Sequence, residues 1–292
     1  MALRIATRGS RLALWQAERV AALLGGDAEL VIVSTTGDER TDVPIWTIGG
    51  TGVFVKEVQQ AVLDGRADLA VHSAKDLPSE TAEGLLLAAV PERADPRDAL
   101  AGARLADIPE GGTVGTGSVR RQAQLAALRP DLHFVSIRGN IETRIGKAGV
   151  EADAVVVALA ALERLGLTDR VAEVLDPAVM LPQVAQGALA VECRADDEAA
   201  QARLRALDDR IAHRVVGAER AFLRTLGGGC DLPCGALATP GPGGGVTIEV
   251  LLATVDGKTV LRTSHSGPDP ETTGAQAGRI LLDEHGGRDL LN

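Results

Sequence analysis

Strand-like and helix-like runs alternate along the first 200 residues, and this alternation constrains the fold more than any other feature of the chain. LRIAT at 3–7 is a short apolar strand, and the residues after Ser10 are apolar at helical spacing, with Ser10 placed to cap that helix. ELVIVST at 29–35 then predicts a buried strand, and FVKEVQQAVLDG at 54–65 predicts a helix that ends at Gly65. The alternation predicts an α/β domain with a largely parallel sheet.

The pattern restarts after a charged, proline-containing stretch, PERADPRDAL at 91–100, which we interpret as a crossing between domains. Two later segments resemble two earlier ones. VGTGSVRRQAQLA repeats the strand, Gly-Ser turn and helix of IATRGSRLALWQA, and ADAVVVA repeats ADLAVHS. This similarity predicts two similar α/β lobes with a cleft between them, with the matching turns facing each other at the carboxyl ends of their strands.

The last 80 residues or so have a different pattern. IAHRVVGAERAFLRTLGGG at 211–229 predicts a helix that is ended by glycines. GALAT, GVTIEVLLATV and TVLRTSHSG then look like β-hairpin strands, and PETTGAQAGRILLDEHG at 270–286 predicts a closing helix. The sequence therefore predicts a small α+β domain over 211–292.

The composition excludes several classes of partner. Hydrophobic residues make up 45% of the 292 residues but aromatic residues only 2%, so the cores must be built from Ala, Leu and Val. Few aromatic residues argue against recognition of nucleic acid by base stacking, and the net charge of −10 argues against general polyanion binding. The start, MALRIATRGS, has no apolar signal-peptide core, and no apolar stretch approaches the length of a membrane span. We therefore expect a cytoplasmic protein with no nucleic-acid or membrane partner.

Two of the three cysteines lie in GGGCDLPCG at 227–235. A disulfide between Cys230 and Cys234 is disfavoured in the cytoplasm, and their spacing is a poor zinc signature without a second ligand pair, so no metal is expected. Cys193 ends a predicted buried strand and is expected to be inert. For Cys230, an attachment point, a nucleophile and no role at all remain alternatives. The electronegative end of the preceding helix opposes a thiolate, which favours attachment.

Arginines cluster at predicted turns. Arg8 precedes a Gly-Ser turn, and Arg120 and Arg121 lie in the first turn of a helix that Ser118 is expected to cap. Cations are mildly unfavourable at the start of a helix, so this placement points to an anion, a carboxylate or a phosphate, bound by N–H groups and guanidinium groups. Solvated surface arginines remain the alternative for each residue taken singly. The other members of the cluster are Arg138, Arg144 and Arg164.

VHSAKDLPSE at 71–80 carries a second group of polar side chains, which directly follows a predicted strand. The carboxyl end of a strand is a common place for binding or acid–base residues. Two simpler interpretations stay open: Lys75 and Asp76 as a surface ion pair, and His72 as a core histidine. Nearby, WTIGGTGVFVKE at 46–57 lacks the spacing of known phosphate-binding glycine motifs and predicts a mobile loop over a cleft.

The chain resembles the hydroxymethylbilane synthase (porphobilinogen deaminase) family over nearly its whole length. The blocks that carry the resemblance, in order and at family spacing, are IATRGSRLALWQA, FVKEV, ADLAVHSAKDLP, ERADPRDAL, VGTGSVRRQAQL, RPDL, IRGNIETR, LERLGL, LPQVAQGALAVECR and GGGCDLPCGA. The family often has lysines where this chain has Thr47 and Thr51, and usually an aliphatic residue at Cys234, which is therefore expected to pack as a small hydrophobe.

The resemblance implies an enzyme that joins four porphobilinogen molecules head to tail with loss of ammonia. Hydrolysis then releases linear hydroxymethylbilane for tetrapyrrole biosynthesis. It implies a monomer that passes its product to uroporphyrinogen-III synthase. The implied fold is two lobes like type II periplasmic binding proteins around an active-site cleft, with a small C-terminal α+β domain that carries the cofactor cysteine. On this basis we expect the first lobe at 1–93 with about 188–207, the second at 94–187, and the third domain at 211–292.

The resemblance also implies a role for individual residues. Asp76 matches the catalytic aspartate, which would stabilise the azafulvene cation left when ammonia departs. A dipyrromethane cofactor, which primes the chain, would be attached through Cys230 and bound by Lys75, Ser118, Arg120 and Arg121. The implied substrate-binding residues are Arg8, Ser10, Phe54, Ser73, Thr116, Arg138, Arg144, Arg164 and Gln186. Clustered arginines suit this role because every pyrrole carries an acetate and a propionate.

Two rival functions fit part of the sequence. A non-catalytic, two-lobed binder of small anions would explain two lobes and a basic cleft. It would not explain a glycine-flanked cysteine or a third domain. A transferase with a cysteine nucleophile would use Cys230 but would turn over a covalent bond at sulfur.

Overall fold

The computed structural model describes residues 2–35, 52, 54–228 and 232–291. The chain divides into two compact units, Met1–Ala94 with Ala188–His213, and Asp95–Gly187 with Arg214–Asn292. No helix among the described residues is both long enough and apolar enough to cross a membrane.

The helices and strands follow one another largely as the sequence predicts. The strands of the described residues are β1 (Leu3–Arg8), β2 (Ala28–Val33), β3 (Leu69–Ser73), β4 (Leu85–Ala89), β5 (Asp98–Gly102), β6 (Thr113–Gly115), β7 (His133–Val135), β8 (Ala154–Ala158), β9 (Glu173–Val174), β10 (Leu189–Arg194), β11 (Cys234–Pro240), β12 (Val246–Ala253) and β13 (Val260–Gly267). The α-helices are α1 (Arg11–Leu23), α2 (Lys56–Leu63), α3 (Val119–Leu128), α4 (Ile141–Ile145), α5 (Leu159–Leu165), α6 (Glu198–Leu204), α7 (Arg210–Thr225) and α8 (Pro270–Arg279).

Each unit contains a five-stranded α/β sheet, and the two sheets have the same topology. The first has the order β2-β1-β3-β10-β4, in which β1 is parallel to β2 and β3, and β10 is antiparallel to both of its neighbours. The second has the order β7-β6-β8-β5-β9, in which β5 is the antiparallel strand. This correspondence confirms the prediction of two similar α/β lobes. The chain passes from the first unit to the second between Ala94 and Asp95, within the predicted crossing at 91–100, and β5 begins at Asp98.

The cores on both faces of the first sheet are made of small aliphatic side chains. On one face, Ala17 and Val20 of α1 belong to the same buried cluster as Ile5 and Leu69 of the strands. On the other face, residues of α2 join a separate cluster with Ala6 and its neighbours. The second sheet is covered on both faces in the same way. Helices therefore bury both faces of each sheet, as expected for mainly parallel strands.

The C-terminal part is the predicted small α+β arrangement. β11, β12 and β13 form an antiparallel sheet, and α8 packs against β12 and β13. The backbones of α7 and α8 approach closely, because a Cβ atom at Gly274 would overlap the carbonyl oxygen of Ala218. A side chain at Gly274 would therefore force the two helices apart.

One residue outside the regular elements has an unusual backbone. Ala185, with φ of 59°, is the only non-glycine residue with a positive φ in the part of the chain that the structure describes. The left-handed region costs an L-residue with a Cβ atom about 1–2 kcal/mol. Ala185 is fully buried, so the surrounding contacts must hold it there.

Candidate functional site

The turn after β3 presents Ser73, Lys75 and Asp76. Ser73 ends the strand, and a 3-10 turn over Ala74–Asp76 follows, held by a 3.0 Å hydrogen bond from the Ala74 amide to the Ala188 carbonyl. Lys75 and Asp76 are half-buried. Within the described ranges, no residue forms a hydrogen bond or an ion pair with the Asp76 carboxylate, so the interpretation of Lys75 and Asp76 as a surface ion pair is not supported.

The Ser73 hydroxyl is held by a residue that sequence reasoning did not select. The Gln16 side chain of α1 donates a 2.8 Å hydrogen bond from Nε2 to Ser73 Oγ, and Gln16 is buried. The available signal was a glutamine on the apolar face of a helix, where it must find a polar partner. Gln16 therefore connects α1 to the turn that carries Asp76.

Arg8 and Phe54 are brought together in the first unit. The guanidinium carbon of Arg8 lies 4.1 Å from the centroid of the Phe54 ring, a cation–π contact. Ser10 caps α1 as predicted, since its Oγ accepts a 3.3 Å hydrogen bond from the Ala13 amide. The end of β1 thus places a cation and a helix start close together.

His72 is a core residue. It is 5% exposed, and its Nε2 lies 3.3 Å from Oε2 of Glu192 on the neighbouring strand β10, although the angles do not make a hydrogen bond. The Glu192 carboxylate also accepts hydrogen bonds of 2.9 and 3.2 Å from Gln59 Nε2. The interpretation of His72 as a core histidine is therefore the one that its environment supports.

A fully buried carboxylate, Asp98 at the start of β5, organises the polar residues of the second unit. Arg120 Nη2 donates to Asp98 Oδ2 at 2.8 Å, and Arg121 donates to Oδ1 from Nη2 at 2.7 Å and from Nε at 3.1 Å. Gln186 Nε2 donates to the same Oδ1 at 2.9 Å. Arg120, Arg121 and Gln186, to which the resemblance assigns roles, are thus held by Asp98, to which it assigns none.

This cluster contains two positive guanidinium groups and one negative carboxylate. Burial alone would raise the pKa of Asp98, but Arg120 and Arg121 lower it by more, so the pKa of the carboxyl lies well below its usual range. Burial likewise lowers the pKa of the Arg120 guanidinium. Two guanidinium groups therefore share one carboxylate, and the cluster keeps one net positive charge.

Backbone carbonyls complete the environment of these arginines. Arg120 Nη1 donates to the Leu181 carbonyl at 2.7 Å, and Arg121 Nη1 donates to the Val156 carbonyl at 2.9 Å. Arg164 Nη2 donates to the Gly187 carbonyl at 2.6 Å, and burial lowers the pKa of Arg164 to about 10. These guanidinium groups have fixed orientations, unlike solvated surface arginines.

The remaining predicted residues of the second unit lie in turns and in the short helix α4, which contains Arg144. Arg138 and Arg144 are half-buried, and Arg144 Nε donates to the Gly139 carbonyl at 2.8 Å. Ser118 is the N-cap residue of α3, but within the described chain its side chain does not accept the expected capping hydrogen bond from a backbone amide of the first turn. Its amide instead donates to Oγ1 of the buried Thr116 at 3.1 Å, because this turn is closed by the threonine hydroxyl.

Two of the three cysteines lie within the described residues. Cys193 and Cys234 are buried thiols, and burial raises the pKa of Cys193. The expectation that Cys234 packs as a small buried residue is confirmed. Cys230, Thr47 and Thr51 lie outside the described residues.

Known proteins of one family match this chain over nearly its whole length. The family model described as "Porphobilinogen deaminase, dipyromethane cofactor binding domain" matches residues 3–202, and the model of the C-terminal domain of porphobilinogen deaminase matches 214–283. The porphobilinogen deaminase of Nitratidesulfovibrio vulgaris is 47% identical, covering 96% of this chain and 91% of its own. That of Brevibacillus brevis is 43% identical, covering 97% and 95%.

Among solved structures, the methionine-binding protein MetQ matches with a TM-score of 0.44 and 11% identity over 75% of this chain and 94% of its own, a likeness too weak to support any conclusion. The family models and the relatives are decisive by themselves, because together they span both units at high identity. The chain belongs to the porphobilinogen deaminase family.

Proposed function

We propose that Cys230, Asp76 and a set of arginines carry out the hydroxymethylbilane synthase reaction in this chain. The chain is a transferase of that activity, which joins four porphobilinogen molecules head to tail and releases linear hydroxymethylbilane for tetrapyrrole biosynthesis. Its cofactor is dipyrromethane. We propose attachment of the cofactor through Cys230, binding of its carboxylates by Lys75, Ser118, Arg120 and Arg121, and a catalytic role for Asp76. The rival anion binder is not better supported.

The observation that carries the proposal is the state of Arg120. Its guanidinium is almost fully buried, and among the described residues its Nε has no hydrogen-bond acceptor. A buried donor without an acceptor is costly, and a carboxylate is the acceptor that a guanidinium binds best. The cofactor presents such carboxylates, so the residues present fit the group. When bound, it supplies the free pyrrole α-carbon to which the first substrate is joined.

The substrate carboxylates would be bound by the other fixed cations and by polar groups near them. The residues that we propose for this role are Arg8, Ser10, Phe54, Ser73, Thr116, Arg138, Arg144, Arg164 and Gln186. Gln186 and Arg164 would act as parts of prearranged hydrogen-bond networks, and Arg8 would be oriented by its contact with the Phe54 ring. Prearranged donors bind an anion at a lower cost in side-chain entropy than mobile ones do.

Asp76 is suited to the bond-forming step. As the C–N bond of the substrate's protonated aminomethyl group breaks, nitrogen leaves with the electron pair as ammonia, and the positive charge passes to the pyrrole. A carboxylate whose charge no described residue neutralises can stabilise that cation. The free α-carbon supplies the electrons of the new C–C bond and must then lose its proton, which the Asp76 carboxylate can accept.

The intact mass of the purified holoenzyme tests the assignment. We expect a mass increase of two pyrrole units that survives turnover, is absent in Cys230→Ser and is retained in the matched control Cys234→Ser. An active enzyme with an unmodified mass would contradict the tether at Cys230. An adduct that disappears during turnover would favour the cysteine nucleophile, and a protein that binds porphobilinogen without releasing ammonia would favour the anion binder.

We also propose that the chain acts as a monomer in the cytoplasm, with lobes at 1–93 plus about 188–207 and at 94–187 and a third domain at 211–292. The product is a reactive linear tetrapyrrole, so we propose that a cyclising enzyme, uroporphyrinogen-III synthase, receives it. Light scattering of the holoenzyme at working concentration checks the first point: a mass of one chain is expected, and a dimer mass would contradict it.

A further inference from the structure

The segment Leu181–Gly187, which we name the 181–187 strap, lies in neither a helix nor a strand, and six of its seven residues are buried. Its backbone contacts the arginine-bearing helix α3 at one end. The Leu181 carbonyl accepts from Arg120 Nη1 at 2.7 Å and from Gln124 Nε2 at 3.1 Å, and the Leu181 amide donates to Gln124 Oε1 at 2.7 Å. The strap therefore fixes the position of the Arg120 guanidinium.

The other end of the strap contacts the carboxylate that holds Arg121 and the guanidinium group of Arg164. Gln186 donates to the carboxylate of Asp98, which holds Arg121, and the Gly187 carbonyl accepts from Arg164. Three arginines that we assign to carboxylate binding thus depend on the path of one irregular segment. Any change in that path must move their side chains together.

The path of the strap is not one that its own sequence favours. Ala185 is in the left-handed region, with φ of 59°, which glycine adopts freely and alanine does not. What holds it is the fully buried carboxylate of Glu219 on α7, whose Oε2 accepts from the Ala185 amide at 2.6 Å. Its other oxygen, Oε1, accepts from the amide of Ala238 on β11 at 2.8 Å. Charge-assisted hydrogen bonds of this kind are about twice as strong as neutral ones.

We propose that Glu219 is a positioning residue for the reaction: it clamps the strap against β11 and so sets the geometry of Arg120, Arg121 and Arg164. The carboxylate needs both of its oxygens, because it joins two segments that each supply one amide. β11 begins at Cys234, four residues after Cys230 in the sequence, so the same clamp relates the arginines to the polypeptide beyond the proposed tether. This inference rests on the proposed role of the arginines in binding carboxylates.

The test is Glu219→Gln in the full-length holoenzyme. The amide can accept one of the two hydrogen bonds but presents an NH₂ group to the other amide. We expect KM for porphobilinogen to rise about tenfold, as for the loss of one charged hydrogen bond, with a smaller change in kcat. We also expect a smaller fraction of chains to carry the dipyrromethane mass. Adding Ala185→Gly to Glu219→Gln should bring KM for porphobilinogen back toward the wild-type value, because glycine keeps the left-handed backbone without the clamp.

The matched control for stability is Ile248→Ala, which leaves a cavity in the buried core of the neighbouring strand β12. It should lower Tm while KM stays at the wild-type value. A wild-type KM and cofactor content in Glu219→Gln would overturn the proposal. So would a KM change no larger than that of Ile248→Ala, or no recovery on adding Ala185→Gly. If Glu219→Gln yields no folded protein, Glu219→Asp, which is one methylene too short to reach both amides, is judged by the same criteria.

Arg164→Gln separates this inference from the proposed function. A raised KM in Arg164→Gln together with a wild-type KM in Glu219→Gln would contradict the clamp alone. A wild-type KM in Arg164→Gln would instead contradict the role assigned to that arginine.

Discussion

Asp98→Asn is the substitution whose effect the structure defines most closely. The side chain is fully buried and accepts hydrogen bonds from two guanidinium groups and from Gln186. The substitution keeps the size of the side chain and one acceptor oxygen, but it removes the negative charge. Arg120 and Arg121 are then left as buried cations without a counter-ion, and an NH₂ group faces a guanidinium N–H.

The magnitude follows from that loss. Removing one partner of a buried ion pair costs about 3–5 kcal/mol, because the remaining charge stays desolvated and unpaired. Since Asn keeps one acceptor, we expect the lower end, about 3 kcal/mol. For a unit of this size each kcal/mol lowers Tm by roughly 2–4 °C, so the expected shift is roughly 10 °C.

The assay is unfolding of the holoenzyme by heat and by urea, followed by circular dichroism. Asp131→Asn is the matched control, since Asp131 also pairs with an arginine, Arg129 at 2.6 Å, but borders solvent, where ion pairs contribute little. We expect the shift for Asp98→Asn to be several times that for Asp131→Asn. Equal small shifts would refute the idea that Asp98 holds the arginines by burial and charge.

Three further predictions concern catalysis, pH and helix packing. Asp76→Asn should retain the covalent adduct while ammonia release falls roughly 10²–10⁴-fold, as when an acid–base group is removed, and a wild-type rate would exclude that role. Because the folded-state pKa of Asp98 is lowered, its stabilisation is complete above the ordinary Asp pKa of about 3.9 and is lost as the pH falls below it. Tm should therefore drop more steeply below about pH 4 in wild type than in Asp98→Asn, whereas equal slopes would contradict the assignment. Gly274→Ala should destabilise the folded protein by about 1–3 kcal/mol, because its Cβ atom would overlap the Ala218 carbonyl. Gly217→Ala, on α7 with open space at its Cβ position, should stabilise the protein by about 1 kcal/mol. Equal shifts of the two variants in calorimetry would refute the close packing of α7 and α8.

Local sequence patterns predicted the elements well where the pattern itself determines the structure. The helical spacing after Ser10 and its capping hydroxyl gave α1, and the repeated strand-turn-helix segments gave the two matching sheets. The antiparallel direction of β5 and β10 was not predictable, because apolar strands read alike in either direction. Their positions between two other strands were not predictable either, because these positions depend on pairing with residues far away in the chain.

The candidate site shows the same limit more sharply. The positions of Arg120 and Arg121 at a helix start pointed to an anion, and they do hold one, but it is the internal carboxylate of Asp98, 22 residues away in sequence from Arg120. The sequence around Asp98 has no feature that identifies this residue as the partner of Arg120 and Arg121. Ala185 gave no signal at all, since alanine is unremarkable in sequence and its backbone angle is imposed by Glu219.

The strand order of the first sheet has a consequence for how the chain is made. β10 lies between β3 and β4, so the sheet has a gap at that place until residues Leu189–Arg194 have been synthesised. The second sheet is drawn entirely from residues between Asp98 and Val174 and has no such gap. Domains generally fold as they emerge, the N-terminal one first. In this chain the order should be reversed, and the second sheet should form before the first is complete. Until β10 has been synthesised, β3 and β4 each lack a hydrogen-bonded neighbour.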